Sequence, residues 1–389
     1  MKQNWKYQKM GDTFVLQMGK TPPRKNEKYW GGNNTWISIG DMGNSKFISS
    51  SKEKISDLAI KDTGIKIVPK GTVIMSFKLS VGKVGIANSD LYSNEAIMAF
   101  IPKCETTIIS DYLFYYLKGY KWENSNRAVK GITLNKELIS KGIIAIPGIE
   151  AQRLIVEELD LIQSIIDKQK RQLLELDNLQ QSIFHNMFGD PITNEKDFSY
   201  SPLKESVIEM FLGPFGSALK TSFYVGQDKS FCMVYEQKHA IKGTFNLENH
   251  FIDQERFHAL KRFEVIPGDF IMSCRGTIGK VFLLPDNAPK GIIHPSLMKI
   301  RIKKEIYTNL FFEYLLKKII EREHTKGNCV QMAITAKELG AKKVICPPLA
   351  LQEEFAEKIE AIERQKELIK KSIADSEQLF NYTMDKYFG

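Results

Sequence analysis

The sequence contains one long segment twice. Residues 146–189 and 346–389 correspond without a gap at an offset of 200, and both end in Phe-Gly. Each has proline near its start, with glutamine five residues later, at Pro147 and Gln152 and at Pro347 and Gln352. Proline at a helix start and glycine at its end are typical helix boundaries. The duplicated segment therefore predicts two helices, each of roughly 40 residues.

Apolar residues in both segments recur at alternating steps of four and three, the heptad pattern of helices that pair side by side. The first stripe contains Ile155, Leu159, Ile162, Ile166, Leu173, Leu176, Ile183 and Met187, and the second contains Phe355, Ile359, Ile362, Ile369, Ile373, Phe380 and Tyr387. Polar residues interrupt the stripes at Gln169, Gln180, Lys366, Ser376 and Thr383. Because an isolated helix exposes such a stripe at a cost, we expect the two helices to bury their stripes against each other.

The regions ahead of the two helices are also related. Residues 71–84 match residues 268–281 without a gap at an offset of 197. Short β-branched runs with glycine and proline between them predict strands, and an apolar helix follows. The predicted fold class is α+β: a tandem duplication of a mixed α/β body followed by a long helix, with the two helices forming an antiparallel coiled coil. The predicted boundaries are 1–146 and 203–346 for the bodies, 147–189 and 347–389 for the helices, and 190–202 for a linker.

Charge is divided between these parts. The first 147 residues hold 22 Lys and Arg against 12 Asp and Glu, and residues 203–347 hold 22 against 15, whereas both helical segments are acidic. Basic bodies favour a polyanionic partner, of which nucleic acid is the commonest, although a solvated basic surface is the alternative. The sequence has no apolar run long enough for a membrane span, and its five cysteines form no C-x-x-C pair. We therefore expect a cytoplasmic protein with no membrane partner.

The sequence lacks the motifs of common catalytic sites. It has no phosphate-binding G-x-x-x-x-G-K-[ST], no G-x-G-x-x-G after a strand, and no pair of its six histidines at metal-ligand spacing. We therefore expect a chain without catalysis, metal or cofactor of its own.

Three loops in each body combine glycine with cations, hydroxyls or amides. Glycine allows close approach of the backbone, Lys and Arg neutralise phosphates, and amides read base edges. The candidate DNA-binding residues are Lys20, Thr21, Arg24, Lys25, Lys78, Ser80, Lys83, Arg127 and Lys130 in the first body, and Ser217, Lys220, Arg275, Thr277, Lys280, Lys326, Asn328 and Gln331 in the second. The alternative for each loop is a polar surface turn with solvated side chains.

With these features, the chain resembles the specificity subunit of type I restriction–modification systems over nearly its whole length. The resemblance rests on Gly-Lys-Thr-Pro-Pro at 19–23, on the paired Gly-Lys-Val turns that end at 84 and 281, and on the paired Pro-x-x-x-x-Gln helix starts. No single motif is specific, but the ordered duplication of body and helix is. The resemblance implies that the two bodies are target-recognition domains, each reading one half of a bipartite, asymmetric double-stranded DNA target.

The resemblance also implies partners. The helices would set the spacer between the half-sites and dock two methyltransferase subunits, and restriction–translocase subunits would join them. S-adenosylmethionine, ATP and magnesium would then belong to those partners. Similar subunits also occur with single-polypeptide restriction–methylation enzymes. The alternative function is a non-catalytic coiled-coil scaffold whose basic domains bind RNA or protein, while a fused nuclease or methyltransferase would need a motif that the sequence lacks.

Overall fold

The computed structural model describes residues 5–43, 45–103, 108–122, 126–128, 131–325 and 334–389, and for 126–128, 131–133 and 323–325 it describes the backbone alone. The chain divides into two compact units. Unit 1 contains Met1–Arg171 and Lys370–Gly389, and unit 2 contains Gln172–Ile369. Each unit therefore holds one body together with parts of both long helices.

Unit 1 is a mixed α/β body with one end of each long helix. Its strands are β1 (Lys6–Lys9), β2 (Phe14–Met18), β3 (Trp30–Ile37), β4 (Phe47–Ile48), β5 (Glu53–Ile55), β6 (Val73–Ser76), β7 (Val84–Ala87), β8 (Tyr92–Ser93), β9 (Ile97–Pro102), β10 (Asn126–Ala128), β11 (Gly131–Thr133) and β12 (Ile143–Ile146). Its helices are α1 (Met10–Thr13), α2 (Asp57–Thr63), α3 (Ser110–Gly119), α4 (Lys136–Lys141) and the first part of α5 (Ile149–Phe188). The main sheet has the strand order β2-β9-β6-β7-β4, and a second sheet has the order β5-β3-β8. Two further pairs are β1-β12 and β10-β11.

Unit 2 is built from the following elements. Its strands are β13 (Ser199–Pro202), β14 (Val207–Leu212), β15 (Cys232–Tyr235), β16 (His250–Ile252), β17 (Glu264–Val265), β18 (Phe270–Ser273), β19 (Val281–Leu283), β20 (Gly291–Ile293), β21 (Leu297–Ile302) and β22 (Lys343–Cys346). Its helices are α6 (Gln237–Lys242), α7 (Gln254–Ala259), α8 (Asn309–Thr325), α9 (Ala336–Ala341) and α10 (Leu349–Phe388), whose last part belongs to unit 1. The sheets have the orders β14-β21-β18-β19 and β16-β15-β20-β17, and β13 pairs with β22.

The two units repeat one topology. The order β14-β21-β18-β19 corresponds to β2-β9-β6-β7, and all of these pairs are antiparallel. In the second sheets, β15 pairs antiparallel with β16 and parallel with β20, as β3 does with β5 and β8. The tandem duplication of a mixed α/β body, predicted from the repeat, is therefore confirmed.

Both cores are completed by aromatic side chains from the long helices. In unit 1, the rings of Tyr112 and Tyr116 on α3 lie 5.7 and 5.6 Å from Phe388, near the end of α10. In unit 2, Phe188 near the end of α5 lies 4.7 Å from Phe311 on α8 and 5.4 Å from Phe355 on α10. Aromatic pairs at these centroid distances add to the stabilisation from apolar burial. Each body thus folds around two helix ends that are far apart in sequence.

The long helices pack antiparallel within each unit, as predicted. In unit 1, Tyr387 donates a hydrogen bond to Glu158 over 2.5 Å, so the end of α10 lies beside the start of α5. In unit 2, Ile359 and Phe355 of α10 are buried in the same core as Phe184 near the end of α5.

Several of the polar residues that interrupt the heptad stripes bond across the helix pair. In unit 1, Gln169 donates to Ser372 over 2.7 Å. In unit 2, Gln180 donates to Glu363 over 2.7 Å, and Lys366 forms an ion pair of 2.7 Å with Asp177. Buried polar groups are tolerated when they are paired in this way, and they fix the helix register.

A buried glutamine anchors each long helix to its body. Gln152 accepts a hydrogen bond from the Ile109 amide over 3.0 Å and donates to the Pro147 carbonyl over 2.9 Å. Its copy Gln352 accepts from the Thr308 amide over 2.9 Å and donates to the Pro347 carbonyl over 2.8 Å. The repeated Pro-x-x-x-x-Gln spacing is thus a structural motif that joins the helix start to the chain ahead of α3 or α8.

We predict that Gln152→Leu destabilises the chain by about 2 kcal/mol, because it removes the partners of the half-buried Ile109 amide and the buried Pro147 carbonyl. This corresponds to a fall of about 4–8 °C in the melting temperature of a unit of this size. Thermal unfolding followed by circular dichroism measures the shift. Gln172→Leu, at an exposed position of the same helix, is the control and should change the melting temperature little. Equal melting temperatures for the two variants would contradict the anchoring role.

Candidate nucleic-acid interface

The turn between β6 and β7 and the turn between β18 and β19 are closed by the same interaction. Ser76 and Ser273 are fully buried. Ser76 Oγ accepts a hydrogen bond from the Lys83 amide over 3.0 Å and donates to the Ser80 carbonyl. Ser273 Oγ accepts from the Lys280 amide over 2.9 Å and donates to the Thr277 carbonyl over 2.5 Å. Each serine therefore pins both ends of a cation-bearing turn.

These turns present several of the predicted DNA-binding residues to solvent. Arg275, Thr277 and Lys280 are exposed in unit 2. In unit 1, Ser80 and Lys83 are exposed and Lys78 is half-buried.

A second loop, which contains residues 19–25 in unit 1 and 213–220 in unit 2, lies beside each turn. The loop and the turn lie together because their backbones bond to the start of the same strand. In unit 1, Gly19 N donates to the Ile97 carbonyl over 3.2 Å, and Phe77 N donates to the neighbouring Ala96 carbonyl over 2.9 Å. In unit 2, the Gly213 and Cys274 amides donate in the same way to Leu297 and Ser296, both over 2.9 Å. The strands β9 and β21 thus bring together two loops that are separated by about 60 residues of sequence.

Glycine is required where the second loop crosses the chain ahead of that strand. A Cβ atom at Gly19 would lie 2.2 Å from the Ser93 carbonyl oxygen, and one at Gly213 would lie 2.3 Å from the His294 carbonyl oxygen. No side chain fits at these distances, so both loops depend on glycine for their close approach.

In unit 1, the cations of the second loop are partly engaged by neighbouring groups. The Arg24 guanidinium lies 3.9 Å from the centre of the Trp30 ring and forms two hydrogen bonds with Glu53. Lys20 Nζ donates to the Thr63 carbonyl over 2.6 Å. Arg24 and Lys20 are predicted DNA ligands, and these contacts come from residues that are distant in sequence. Lys25 is exposed.

The Glu95 carboxylate interacts with candidate residues from both loops of unit 1. The pKa of Glu95 is lowered chiefly because Thr21 donates a hydrogen bond to its carboxylate, and the charges of Lys78 and Arg24 act in the same direction. Three candidate residues from two loops therefore lie around one carboxylate.

In unit 2, the second loop borders a cavity of about 400 Å³. Its lining residues are Phe211, Leu212, Gly213, Pro214, Phe215, Gly216, Arg262, Phe263, Arg275 and Pro295. Arg275 was predicted from the sequence, whereas Phe215 and Arg262 were not. The predicted residues Ser217 and Lys220 follow along the same loop and are exposed.

Other contributors also escaped the sequence analysis. Gln237 Nε2 donates to the carbonyl of Arg275 over 2.6 Å, which supports the turn from α6. Ser76 and Ser273 could have been found, because they are identical in both copies at the offset of 197. Gln237 and Arg262 carry no such signal.

The remaining candidates lie where the backbone alone is described or outside the described residues. Arg127 belongs to β10, of which the backbone alone is described. Lys130, Lys326, Asn328 and Gln331 lie outside the described residues. Their assignment to DNA binding stays a prediction.

Over the described ranges, no three His, Cys, Asp or Glu side chains are grouped so that they could hold a metal ion. None of the helices there is long and apolar enough to cross a membrane.

Comparison with known families gives a match over most of the chain. Residues 2–176 and 234–378 match the family described as type I restriction modification DNA specificity domain. A relative from Methanocaldococcus jannaschii, the type I restriction enzyme MjaIX specificity subunit, is 31% identical over 211 residues, which are 51% of this chain and 47% of the relative. The matched stretches span 39% to 64% of the curated relatives' own lengths.

Solved structures share the fold. One comes from work on complex assembly and conformational transition of the type I R-M system. It has a TM-score of 0.66 at 15% identity, and the match covers 99% of this chain and 97% of that chain. The S subunit of a type I restriction-modification system from M. genitalium has a TM-score of 0.52 at 13% identity, with 99% and 96% covered. At these identities the likeness concerns the fold alone.

We predict that Ser273→Ala loosens the β18–β19 turn, because the Lys280 amide loses its acceptor and the Thr277 carbonyl keeps the longer bond of 3.3 Å from Gln237 in place of the 2.5 Å bond from the serine. A lost hydrogen bond of this kind is worth about 1 kcal/mol, so amides of residues 275–280 should exchange roughly five- to tenfold faster. Hydrogen exchange read by mass spectrometry measures this, and Ser76→Ala repeats the test in unit 1. Ser217→Ala, at an exposed position, is the control. Unchanged exchange in both buried-serine variants would refute the role.

Proposed function

Since this chain belongs to the type I restriction modification DNA specificity family, we propose that it reads a bipartite, asymmetric duplex DNA target and carries the catalytic subunits of a type I restriction–modification complex. Each unit reads one half-site through its pair of neighbouring loops. The chain contributes recognition and assembly, and its partners contribute the chemistry.

The observation that carries this proposal is the duplicated loop pair with different side chains. Both units hold a glycine-based loop and a serine-closed turn against one strand start. Unit 1 places Arg24 on Trp30 there, whereas unit 2 exposes Phe215 and Arg275. The two surfaces share a backbone arrangement but carry different side chains, which suits two half-sites of different sequence.

Cations on both surfaces supply the affinity that precedes base reading. Lys25 and Lys83 in unit 1, and Lys220, Arg275 and Lys280 in unit 2, are exposed beside the loops. Neutralising phosphates releases counterions, which gives binding that weakens steeply with salt. Contacts with base edges then decide between sequences.

The long helices suit a spacer and a docking surface. Both α5 and α10 contribute to both units, so the distance between half-sites becomes a property of helix length. On α5, Leu154, Leu161 and Ile165 are exposed, at 66%, 62% and 40% of their surface, and they share one helix face at steps of seven and four. We assign this stripe to contact with one of two methyltransferase subunits.

The cofactors follow from this division of work. S-adenosylmethionine would be bound by the methyltransferase subunits, and ATP and magnesium by the restriction–translocase subunits. The complex would act in the cytoplasm, where its DNA is.

Methylation mapping tests this function. The chain is co-expressed with the methyltransferase subunit encoded beside it, the complex is purified, and the host genome is sequenced with methylation detection. We expect a split, asymmetric motif with a fixed spacer that disappears when this chain is omitted.

Arg275→Ala with Lys280→Ala should weaken methylation, because both cations lie on the unit 2 surface. Methylation that does not depend on this chain, or a gel shift that prefers RNA to duplex DNA, would contradict the proposal, and the second result would favour an RNA-binding scaffold.

A further inference from the structure

Each loop pair exposes one large apolar side chain to an unusual degree. Among the described residues, Phe215 and Leu79 are the most exposed large hydrophobic side chains, at 88% and 75%. Phe215 lies on the second loop of unit 2, and Leu79 lies at the tip of the serine-closed turn of unit 1. Scattered apolar residues are normal on a surface, but these two lie on the candidate interface, one in each unit.

The backbone at Leu79 is strained. Leu79 has φ of +63°, a left-handed conformation that costs a branched L-residue conformational free energy. The corresponding position of unit 2 is Gly276, with φ of +65°, where the conformation has no such cost. Folding alone would favour glycine at position 79, both for the backbone and because the leucine side chain buries little. A strained residue at a binding surface points to a role outside folding.

The surroundings of Phe215 suit a nucleobase and its phosphates. Two aromatic residues, Phe211 and Phe263, and two arginines, Arg262 and Arg275, are among the residues that line the adjoining cavity. No carboxylate is among its lining residues. The Arg262 guanidinium lies 5.5 Å from the Phe211 ring, and within the described part of the chain neither arginine side chain forms an ion pair or a hydrogen bond. An exposed ring with two arginines beside it is complementary to stacked bases flanked by phosphates.

Leu79 has a comparable setting. Lys78 precedes it and Lys83 closes the same turn, whose backbone is held by buried Ser76. A turn that is closed by a buried serine and carries an apolar tip and two lysines can press that tip against DNA while the lysines bind the phosphates. Proteins that kink DNA use leucine and phenylalanine side chains in this way.

We propose that each unit inserts one apolar wedge into its half-site, Leu79 from unit 1 and Phe215 from unit 2, between two adjacent base pairs. This rests on the proposed function, since it concerns how the same surfaces read duplex DNA. The wedge unstacks one step, and the neighbouring cations bind the phosphates beside the kink. Half-site recognition then includes a preference for a step that opens easily, such as a pyrimidine–purine step, in addition to direct base contacts.

The test uses the full chain with its methyltransferase subunit and a duplex that carries the mapped motif. Permanganate oxidation of unstacked thymines and 2-aminopurine fluorescence report the opened step in each half-site. Leu79→Ala should abolish the signal in the unit 1 half-site alone, and Phe215→Ala in the unit 2 half-site alone. Since stacking on an aromatic ring is worth about 1–3 kcal/mol, we expect Phe215→Ala to weaken DNA binding about 5- to 150-fold, and Phe215→Trp to restore both signal and binding.

A second variant separates the wedge from folding. Leu79→Gly should keep or raise the melting temperature, because it relieves the left-handed strain, and yet it should weaken DNA binding as Leu79→Ala does. Leu58→Ala and Ile208→Ala are matched controls, since both residues are exposed, at 42% and 60%, outside the loop pairs. Neither control should alter the signal.

The outcomes distinguish the two proposals. If the wild-type complex recognises a split motif but Leu79→Ala and Phe215→Ala leave stacking and affinity unchanged, the wedge is wrong and the proposed function stands. If Leu79→Gly lowers the melting temperature, leucine serves folding and the unit 1 wedge is wrong. If the wild-type complex recognises no split motif, the proposed function fails and the wedge fails with it.

Discussion

Each unit completes its core with the end of one long helix and the start of the other. In unit 1, Phe388 from the end of α10 packs on Tyr112 and Tyr116. In unit 2, Phe188 from the end of α5 packs on Phe355 at the start of α10. The antiparallel helix pair is therefore part of both hydrophobic cores, and the sheets that carry the loops depend on it. An alteration of the helices that breaks this packing should disturb both loop pairs.

The loop pairs show how one scaffold supports two different surfaces. In both units the same groups hold the two loops together. They are backbone hydrogen bonds at the start of β9 and β21, the glycines Gly19 and Gly213, and the buried serines Ser76 and Ser273. None of these groups needs to touch DNA, so the side chains beside them are free to differ. Arg24 on Trp30 in one unit and exposed Phe215 in the other illustrate this freedom. In physical terms, the asymmetry of the proposed target resides in side chains, and the duplication resides in backbone geometry.

The sequence allowed the fold to be predicted further than the site. A constant offset and a heptad stripe predicted two equivalent α/β bodies and paired helices, because periodicity and repetition are local signals. The cation-bearing turns were found for the same reason. The stacking of Arg24 on Trp30 and the pairing of Arg24 with Glu53 were not predictable, since they depend on strands folding back. Arg262 and Phe215 line one cavity although they are 47 residues apart, and they occur in one copy alone, so the repeat gave no indication of them.

We propose that the helix pair sets the spacing between the two half-sites, and a change in helix length tests this proposal most directly. One helical turn is inserted into each helix, after Arg171 and after Ile369, where the chain passes from one unit to the other. A turn adds about 5.4 Å to a helix, which equals one to two base pairs of duplex DNA at about 3.4 Å each. Methylation mapping should then show both half-sites unchanged and the spacer lengthened by that amount. Altered half-sites, or an unchanged spacer in an active complex, would contradict the account.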